Sequence, residues 1–260
     1  MKVKMSQFDL SLIIFNRVVL FCLSFLVSLN TAYAAADSTE TKVAEPAKVS
    51  YKLTSSYYDA SDNNNALDVN LRTKYAEHTA WIGEYGDKKG FRQFRAGYEY
   101  SPEFAYIRPT FSLQLASKGF IGESINTEIG GETFAIIGIG RTNLHDYYNL
   151  NFDPNDAITI GIGTRAFNQH ELSLFQVFDN RLDTQQRITH FVWRYSPTDS
   201  QRLSIDASYK SGLDSENVFI HGYGLSADYR YRQYFARLAR EQHANFAVSD
   251  LTRLSIGIYF

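Results

Sequence analysis

The feature that most constrains the fold of this chain is a two-residue alternation of apolar and polar side chains, which recurs from residue 49 onward. In the segment 66–75, Leu67, Val69 and Leu71 alternate with polar or charged residues. The same alternation is found in the segments 105–116, 157–167, 201–211 and 217–231. Because successive side chains of a β-strand point to opposite faces, this pattern predicts strands with one apolar and one polar face. No segment shows a helical period of similar clarity, so we expect an all-β protein.

Fourteen strands are predicted from this alternation and from the turn residues that separate the segments. They lie at 49–59, 66–75, 78–86, 91–100, 105–116, 121–130, 133–142, 157–167, 171–179, 186–196, 201–211, 217–231, 234–243 and 250–260. The longer connections follow odd-numbered strands, whereas connections after even-numbered strands are mostly short. Short turns on one rim and longer loops on the other are typical of antiparallel transmembrane barrels, whose termini lie on the short-turn, periplasmic side. Twelve strands, or a helix at 234–243, are the alternatives.

The predicted strands also have the length and the aromatic residues of a membrane barrel. A tilted strand needs about 9–11 residues to cross the hydrocarbon core. Tyrosine collects at the two membrane interfaces, and six tyrosines fall near strand ends: Tyr57, Tyr75, Tyr85, Tyr100, Tyr195 and Tyr209. An open edge would leave backbone N–H and C=O groups unpaired in lipid, so the sheet must close. We predict a transmembrane antiparallel up-and-down β-barrel, with a soluble β-sandwich as the alternative.

The N-terminal segment has the composition of a secretory signal peptide. Lys2, Lys4 and Arg17 precede an apolar run at 18–29, which is followed by a small-x-small sequence at 31–34. These are the basic, apolar and cleavage regions that such a peptide requires. The apolar run is shorter than the roughly 20 residues that a spanning helix needs. We therefore interpret this segment as a cleaved signal peptide, with a retained anchor as the alternative.

Three regions are expected: a signal peptide at 1–34, a flexible extension at 35–48 and the barrel at 49–260. The exported chain holds 23 basic and 27 acidic residues, because 1–34 contains three of the 26 basic and one of the 28 acidic residues. A net charge of −4 is unlike that of a nucleic-acid-binding protein, so no nucleic acid is expected as a partner. The only cysteine, Cys22, lies in the signal peptide, which excludes disulfides and cysteine-ligated metals from the barrel. We expect no cofactor.

The C-terminal segment Arg253–Phe260 ends on an aromatic residue and has apolar residues at alternate positions. It resembles the closing strand of Gram-negative outer membrane β-barrel proteins, whose terminal aromatic strand is read by the barrel assembly machinery. The resemblance implies that Phe260, Ile258 and Arg253 form the assembly signal, although Ser255 stands where glycine is usual. It also implies a location in the outer membrane of a Gram-negative bacterium, in contact with outer membrane lipids and lipopolysaccharide.

Assigning the polar face of each strand to the barrel interior predicts a positively charged lumen. The inward cations are then Arg72, Lys74, Arg95, Arg108, Arg165, Arg194, Arg202, Lys210, Arg230, Arg232, Arg237 and Arg253. The inward acidic residues are Asp68, Glu99, Asp206, Asp228 and Glu241. Cationic walls concentrate anions, so we predict a passive channel for small hydrophilic, preferentially anionic solutes. If ion pairs instead fill a narrow barrel, the protein is a non-conducting structural or adhesive barrel.

A lipid- or lipopolysaccharide-modifying hydrolase is a further alternative. Outer membrane lipid hydrolases place a His and a Ser two residues apart on one strand, so that the His can take the Ser proton. This sequence contains no His-x-Ser, and His190 is the one histidine assigned clearly to the lumen. The sequence therefore predicts no catalytic residue, and an enzyme is the less favoured function.

The longest internal connection, 143–156, has two open roles. Asp146, Asp153, Asn155 and Asp156 offer the oxygen ligands that Ca²⁺ and Mg²⁺ prefer. The sequence around them is also an ordinary turn, and the aromatic residues of this loop can pack against the rim. We favour a folded lid whose Tyr147, Tyr148 and Phe152 pack on the rim, and such a loop can also fold inward and narrow the pore; a divalent-cation site is the alternative.

Overall fold

The structure is a computed structural model that describes residues 48–260. The predicted signal peptide and residues 35–47 of the predicted extension lie outside the described residues. Fourteen antiparallel strands form one closed barrel, in which each strand pairs with its neighbours in sequence and β1 pairs with β14. The up-and-down barrel of fourteen strands is therefore confirmed, and the twelve-strand and β-sandwich alternatives are wrong.

The strands lie close to their predicted positions. They are β1 (Ser50–Ala60), β2 (Ala66–Tyr75), β3 (His78–Asp87), β4 (Arg92–Tyr100), β5 (Ile107–Ala116), β6 (Phe120–Gly130), β7 (Thr133–Thr142), β8 (Ala157–Thr164), β9 (His170–Asp179), β10 (Arg187–Thr198), β11 (Gln201–Leu213), β12 (Phe219–Tyr231), β13 (Tyr234–Glu241) and β14 (Leu251–Tyr259). Two short 3₁₀ helices, Ser117–Gly119 and Ala244–Phe246, lie in the connections. Within 48–260, no helix has the length and apolar character required to cross a bilayer.

The barrel closes between its first and last strands. Partners in this seam run from Lys52 opposite Tyr259 to Ala60 opposite Leu251. Next to the Lys52–Tyr259 pair, the backbones of Tyr51 and Phe260 exchange two hydrogen bonds of 2.8 and 3.0 Å, and their rings stack with centroids 5.5 Å apart. Phe260 thus extends the pairing between the first and last strands, and the sheet has no open edge.

The connections differ in length between the two rims. One rim, called the loop rim, carries the connections 61–65, 88–91, 117–119, 143–156, 180–186, 214–218 and 242–250. The opposite rim, called the turn rim, carries 76–77, 101–106, 131–132, 165–169, 199–200 and 232–233. The predicted division into a short-turn and a long-loop side is confirmed, with 101–106 as the longest connection on the turn rim. Both ends of the barrel chain lie at the turn rim.

The outer face of the barrel is apolar, as lipid requires. Leucine and isoleucine side chains project from mid-strand positions, and Leu225 at the middle of β12 is 57% exposed. Its sequence neighbours Gly224 and Ser226 pair with inward-facing residues of β11 and point into the barrel. This alternation is the reverse of that in a water-soluble barrel, where the apolar residues fill the interior.

Outward aromatic side chains collect at the two rims. Those at the turn rim include Tyr75, His78, Tyr98, Tyr100, His170, Trp193, Tyr195, Tyr229, Tyr231 and Tyr234. Those near the loop rim include Tyr57, Phe94, Tyr209, Phe219 and Tyr223. The interface assignment of Tyr85 is wrong, because this side chain points into the barrel and is 2% exposed. Closeness to a strand end does not decide which face a tyrosine occupies.

Candidate functional site: the lumen and its inserted loop

The inward face of the barrel carries twelve cationic side chains. They are Lys52, Arg72, Lys74, Arg95, Arg108, Arg165, Arg194, Arg202, Lys210, Arg230, Arg237 and Arg253. Lys52 was not predicted, although the parity of β1 would have indicated it. Arg232 lies in the turn 232–233, with its guanidinium 5.3 Å from the centroid of the Tyr231 ring. The predicted inward position of Arg232 is wrong, because the alternation of faces does not extend past the end of β12 at Tyr231.

Nine acidic side chains on the strands have inward positions. They are Asp68, Asp87, Glu99, Glu128, Glu171, Asp179, Asp206, Asp228 and Glu241. Asp87, Glu128, Glu171 and Asp179 were not predicted, although strand parity places them inward. The lumen is still more positive than negative, but by a smaller margin than the sequence indicated.

On the wall formed by β5–β10, the charges neutralise one another in a chain. Arg108 contacts Glu128 at 3.0 Å, and Glu128 contacts Arg165 at 2.8 Å. Arg165 also contacts Glu171 at 2.8 Å, and Glu171 forms an ion pair with Arg194. We call these five residues the ion-pair belt. Its alternating charges leave one net positive charge near the turn rim.

The opposite wall, formed by β11–β14, β1 and β2, is called the basic wall. Arg237 contacts Asp228 at 3.3 Å. Lys52, Arg202 and Arg230 form no salt bridge with any carboxylate in the part of the chain that the structure describes. The excess positive charge of the lumen is therefore concentrated on this wall.

The loop 143–156 enters the lumen and spans it. The Gln93 side chain donates a 3.1 Å hydrogen bond to the Tyr148 carbonyl and accepts a 2.9 Å bond from the Tyr148 N–H. Across the barrel, Arg253 Nη1 donates a 3.0 Å bond to the Leu150 carbonyl. The loop is thus fixed to β4 and to β14, so it folds inward and does not only pack on the rim.

A third anchor holds the same loop to the wall at β10. His190 is 8% exposed, and its ring stacks on Phe175 with centroids 4.8 Å apart. His190 Nε2 lies 3.0 Å from Asp153 Oδ1, and Nδ1 lies 3.0 Å from Asp206 Oδ1. A neutral imidazole has one N–H donor, so bonding to two carboxylates requires the doubly protonated imidazolium. His190 therefore joins the loop to β11 as a charged bridge.

Apolar packing closes part of the lumen below the loop rim. Tyr58, Tyr85, Leu150, Phe152 and Leu251 are members of one buried cluster. Leucine and phenylalanine from the inserted loop supply the apolar surface that these wall residues cover. The β1–β3 and β14 side of the lumen is consequently filled at this height.

The tyrosines of the loop are half-buried, Tyr148 beside this cluster and Tyr147 against β6. The Tyr148 ring stacks on Tyr85 with centroids 4.8 Å apart, and the Tyr147 ring stacks on Phe120 at 4.1 Å. Burial removes both loop hydroxyls from water, which disfavours the phenolate and raises the pKa of Tyr147 and of Tyr148 above the ordinary value.

A cavity lies on each side of the loop segment 149–155. The inner cavity measures about 410 Å³ and is lined by polar residues of β5–β9 and by Glu128, Glu171 and Arg194. The outer cavity measures about 290 Å³ and opens between the loops 143–156, 180–186 and 242–250. Asn149, Asp153 and Asn155 line both. The inserted loop is therefore the constriction between the rim and the inner lumen.

Two of the three acidic residues of the loop, Asp153 and Asp156, are used in protein contacts. Asp156 Oδ2 accepts a 2.5 Å hydrogen bond from the Thr142 hydroxyl, and Asp156 Oδ1 lies 2.8 Å from Arg181 Nη1. Asp153 is held by His190. Within residues 48–260, no three His, Cys, Asp or Glu side chains are grouped so that they could hold a metal ion.

Asp153→Asn is expected to loosen the loop, because the amide keeps the size of the side chain but loses the charge that pairs with imidazolium. We expect a loss of about 1–3 kcal/mol in the free energy of unfolding, together with more frequent transitions between current levels in single-channel recordings. Asp146→Asn is the matched control, since Asp146 lies exposed on the same loop. Equal behaviour of the two variants would contradict an anchoring role for His190.

Solved structures of outer membrane proteins have a similar fold. The outer membrane protein Omp33 of Acinetobacter baumannii is 10% identical with a TM-score of 0.54, and the alignment covers 83% of this chain and 100% of that one. The KdgM porin is 6% identical (TM-score 0.46; 80% and 99% covered), and a mutant of the Rh. blastica porin is 8% identical (0.47; 82% and 100%). No protein-family model and no curated protein sequence matches the chain. The likeness to Omp33 is one of fold: this chain belongs to the structural class of closed antiparallel β-barrels.

Proposed function

We propose that this protein is a passive channel of the outer membrane of a Gram-negative bacterium and that it conducts small hydrophilic solutes with a preference for anions. The observation that carries the proposal is the inward charge: twelve cations against nine strand carboxylates and Asp153 of the loop. A low-dielectric wall focuses the field of these cations into the lumen, which raises the local concentration of anions.

The polar route through the lumen supports a channel for small solutes. It leads from the outer cavity past the loop segment 149–155 into the inner cavity, and then to the ion-pair belt near the turn rim. Hydroxyl and amide side chains line the inner cavity, including Ser112, Ser124, Asn126 and Thr159. Such groups can replace part of the hydration shell of a passing solute.

The proposed location and partners follow from the outer surface. An apolar band between two aromatic rims matches a bilayer, so outer membrane lipids and lipopolysaccharide are the proposed surroundings. Phe260 and Ile258 lie on the closing strand, where the barrel assembly machinery would read them. Arg253 of the same strand points inward and binds the loop carbonyl of Leu150, so it has a structural role besides any part in the signal.

The hydrolase alternative gains no support from His190. Both nitrogens of its ring face carboxylates, of Asp153 and Asp206. Neither nitrogen is free to accept the proton of a serine, which nucleophilic catalysis requires. The channel is therefore the better-supported function.

Electrical recording tests the channel directly. Purified protein refolded in detergent and added to a planar lipid bilayer in KCl is expected to give discrete current steps. Protein that unfolds cooperatively in a melting experiment but leaves the bilayer sealed would favour the non-conducting structural barrel.

A further inference from the structure

Two pairs of like charges face each other directly on the basic wall. Arg202 of β11 is the register partner of Arg230 of β12, and Lys52 of β1 is the partner of Arg72 of β2. Side chains at such positions have Cβ atoms about 4.5–5.5 Å apart, and like charges there are destabilising. Folding alone therefore does not account for these residue choices.

The groups around Lys52, Arg202 and Arg230 do not neutralise these three cations, whereas Arg72 is paired with Glu99 at 3.2 Å. Arg230 Nη2 donates a 3.0 Å bond to the Asp199 backbone carbonyl, and its Nε is buried without any hydrogen-bond partner. Lys52 Nζ lies 4.0 Å from the centroid of the Phe235 ring. The aromatic face and the carbonyl orient the cations, but they supply no full negative charge.

The cations of β1 and β12 converge on one place. Lys52 Nζ and Arg230 Cζ lie 5.3 and 5.8 Å from the centroid of the same ring, that of Tyr259. Arg202 stands opposite Arg230 on the neighbouring strand. The nearby carboxylate of Asp228 is bonded to Arg237 at 3.3 Å. Two cations thus lie beside the Tyr259 ring and the third stands opposite one of them, and none of the three forms a salt bridge within the described residues.

The opposite wall provides an internal comparison. There, the ion-pair belt matches Arg108, Arg165 and Arg194 with Glu128 and Glu171 at the same end of the lumen. On that wall the chain itself supplies glutamates that neutralise most of the arginine charge. Unpaired cations on the basic wall indicate that the compensating charge comes from outside the chain.

We infer that Lys52, Arg202 and Arg230 form a binding site for an oxyanion that carries two or more negative charges, such as a phosphate or a dicarboxylate. Guanidinium groups bind carboxylate and phosphate oxygens in pairs, with geometry that a spherical chloride ion does not match. A monovalent anion would compensate less of the repulsion among these three cations than a divalent anion would. The inference rests on the proposed channel, since the site faces the lumen, and it adds the class of solute that the lumen holds.

Inorganic phosphate is the probe for the test. Added at pH 7 and constant ionic strength, it is expected to reduce the chloride current of the protein in planar bilayers saturably. Arg202→Gln is expected to raise the half-blocking concentration about tenfold, as the loss of one charge-assisted contact implies. Arg187→Gln is the control: it makes the same charge change at an outward-facing, exposed residue of β10 and should keep the wild-type value.

Thermal unfolding in detergent at low salt gives a readout that does not need an open pore. Phosphate is expected to raise the unfolding temperature of the wild type and of Arg187→Gln, and to have less effect on Arg202→Gln. Without phosphate, Arg202→Gln should unfold at the same or a higher temperature than the wild type, because it removes a repulsion. A lower temperature would identify Arg202 as a structural residue and overturn the site.

The two proposals fail in different ways. A conducting, anion-selective protein whose chloride current and unfolding temperature do not respond to phosphate would overturn the oxyanion site and leave the channel standing. A sealed bilayer combined with a phosphate-dependent unfolding temperature that is lost in Arg202→Gln would retain the site and remove the channel.

Discussion

Replacing residues 144–155 with a short glycine-serine linker is expected to raise the single-channel conductance about twofold or more. The loop is the constriction between the outer and inner cavities, and the narrowest part of a pore limits ion flow. Asn143 and Asp156 are retained in this variant, because Asp156 is bonded to Thr142 and Arg181 at the loop rim. Bilayer recordings in KCl measure the change.

The control for this deletion is a shortened 214–218 loop. That loop is joined to itself by a 2.9 Å backbone bond from Asp214 N–H to the Val218 carbonyl, and its residues line neither cavity. Shortening this loop should leave the single-channel conductance unchanged. If removing 144–155 also left the conductance unchanged, the loop would not be the constriction, and the route through the lumen would have to lie elsewhere.

Leu225→Arg is expected to lower the free energy of unfolding by about 2–4 kcal/mol in lipid vesicles, which is the loss typical of a cation on the lipid face at the bilayer midplane. Leu225 lies at the centre of β12 and is 57% exposed on the outer face. The arginine would have to leave the hydrocarbon or carry water into it. Urea unfolding followed by tryptophan fluorescence measures the loss.

Ser226→Arg is the matched control for this substitution. Ser226 is the next residue of β12, points inward and stands opposite Asp206 of β11. Water and a carboxylate are available to the new guanidinium there, so the free energy of unfolding should change much less. Equal losses for Leu225→Arg and Ser226→Arg would contradict a lipid-facing outer wall.

Strand positions and facing directions could be predicted from the sequence because both follow from local parity. Once Leu67, Val69 and Leu71 are assigned to one face, Asp68 and Arg72 must lie on the other. The same reasoning would have placed Lys52, Glu128 and Glu171 inward. It fails only beyond strand ends, as at Arg232, because no pairing fixes the direction of a turn residue.

The partners of the inward residues could not be predicted in this way. Asp153 and His190 are 37 residues apart in sequence, and only the path of the loop through the lumen brings them together. Tyr85 has the sequence position of an interfacial tyrosine, but the inserted Tyr148 ring covers it. Parity determines the face a side chain occupies, whereas its partner across the lumen depends on barrel shear and on loop conformation.

The two walls of the lumen differ in charge compensation, and this difference is central to the functional proposal. On one wall, Glu128 and Glu171 neutralise most of the cationic charge near the turn rim. On the other wall, Lys52, Arg202 and Arg230 form no salt bridge within the described residues, so their charges can attract anions that enter the lumen. An anion preference should therefore depend on the basic wall far more than on the ion-pair belt.

The reversal potential across a planar bilayer under a KCl gradient tests the central claim most directly. With wild-type protein the potential should have the sign that reports a higher permeability to chloride than to potassium. Replacing Arg202 and Arg230 together with glutamine should move it toward zero. A potential with the opposite sign, showing selectivity for potassium, would contradict the account.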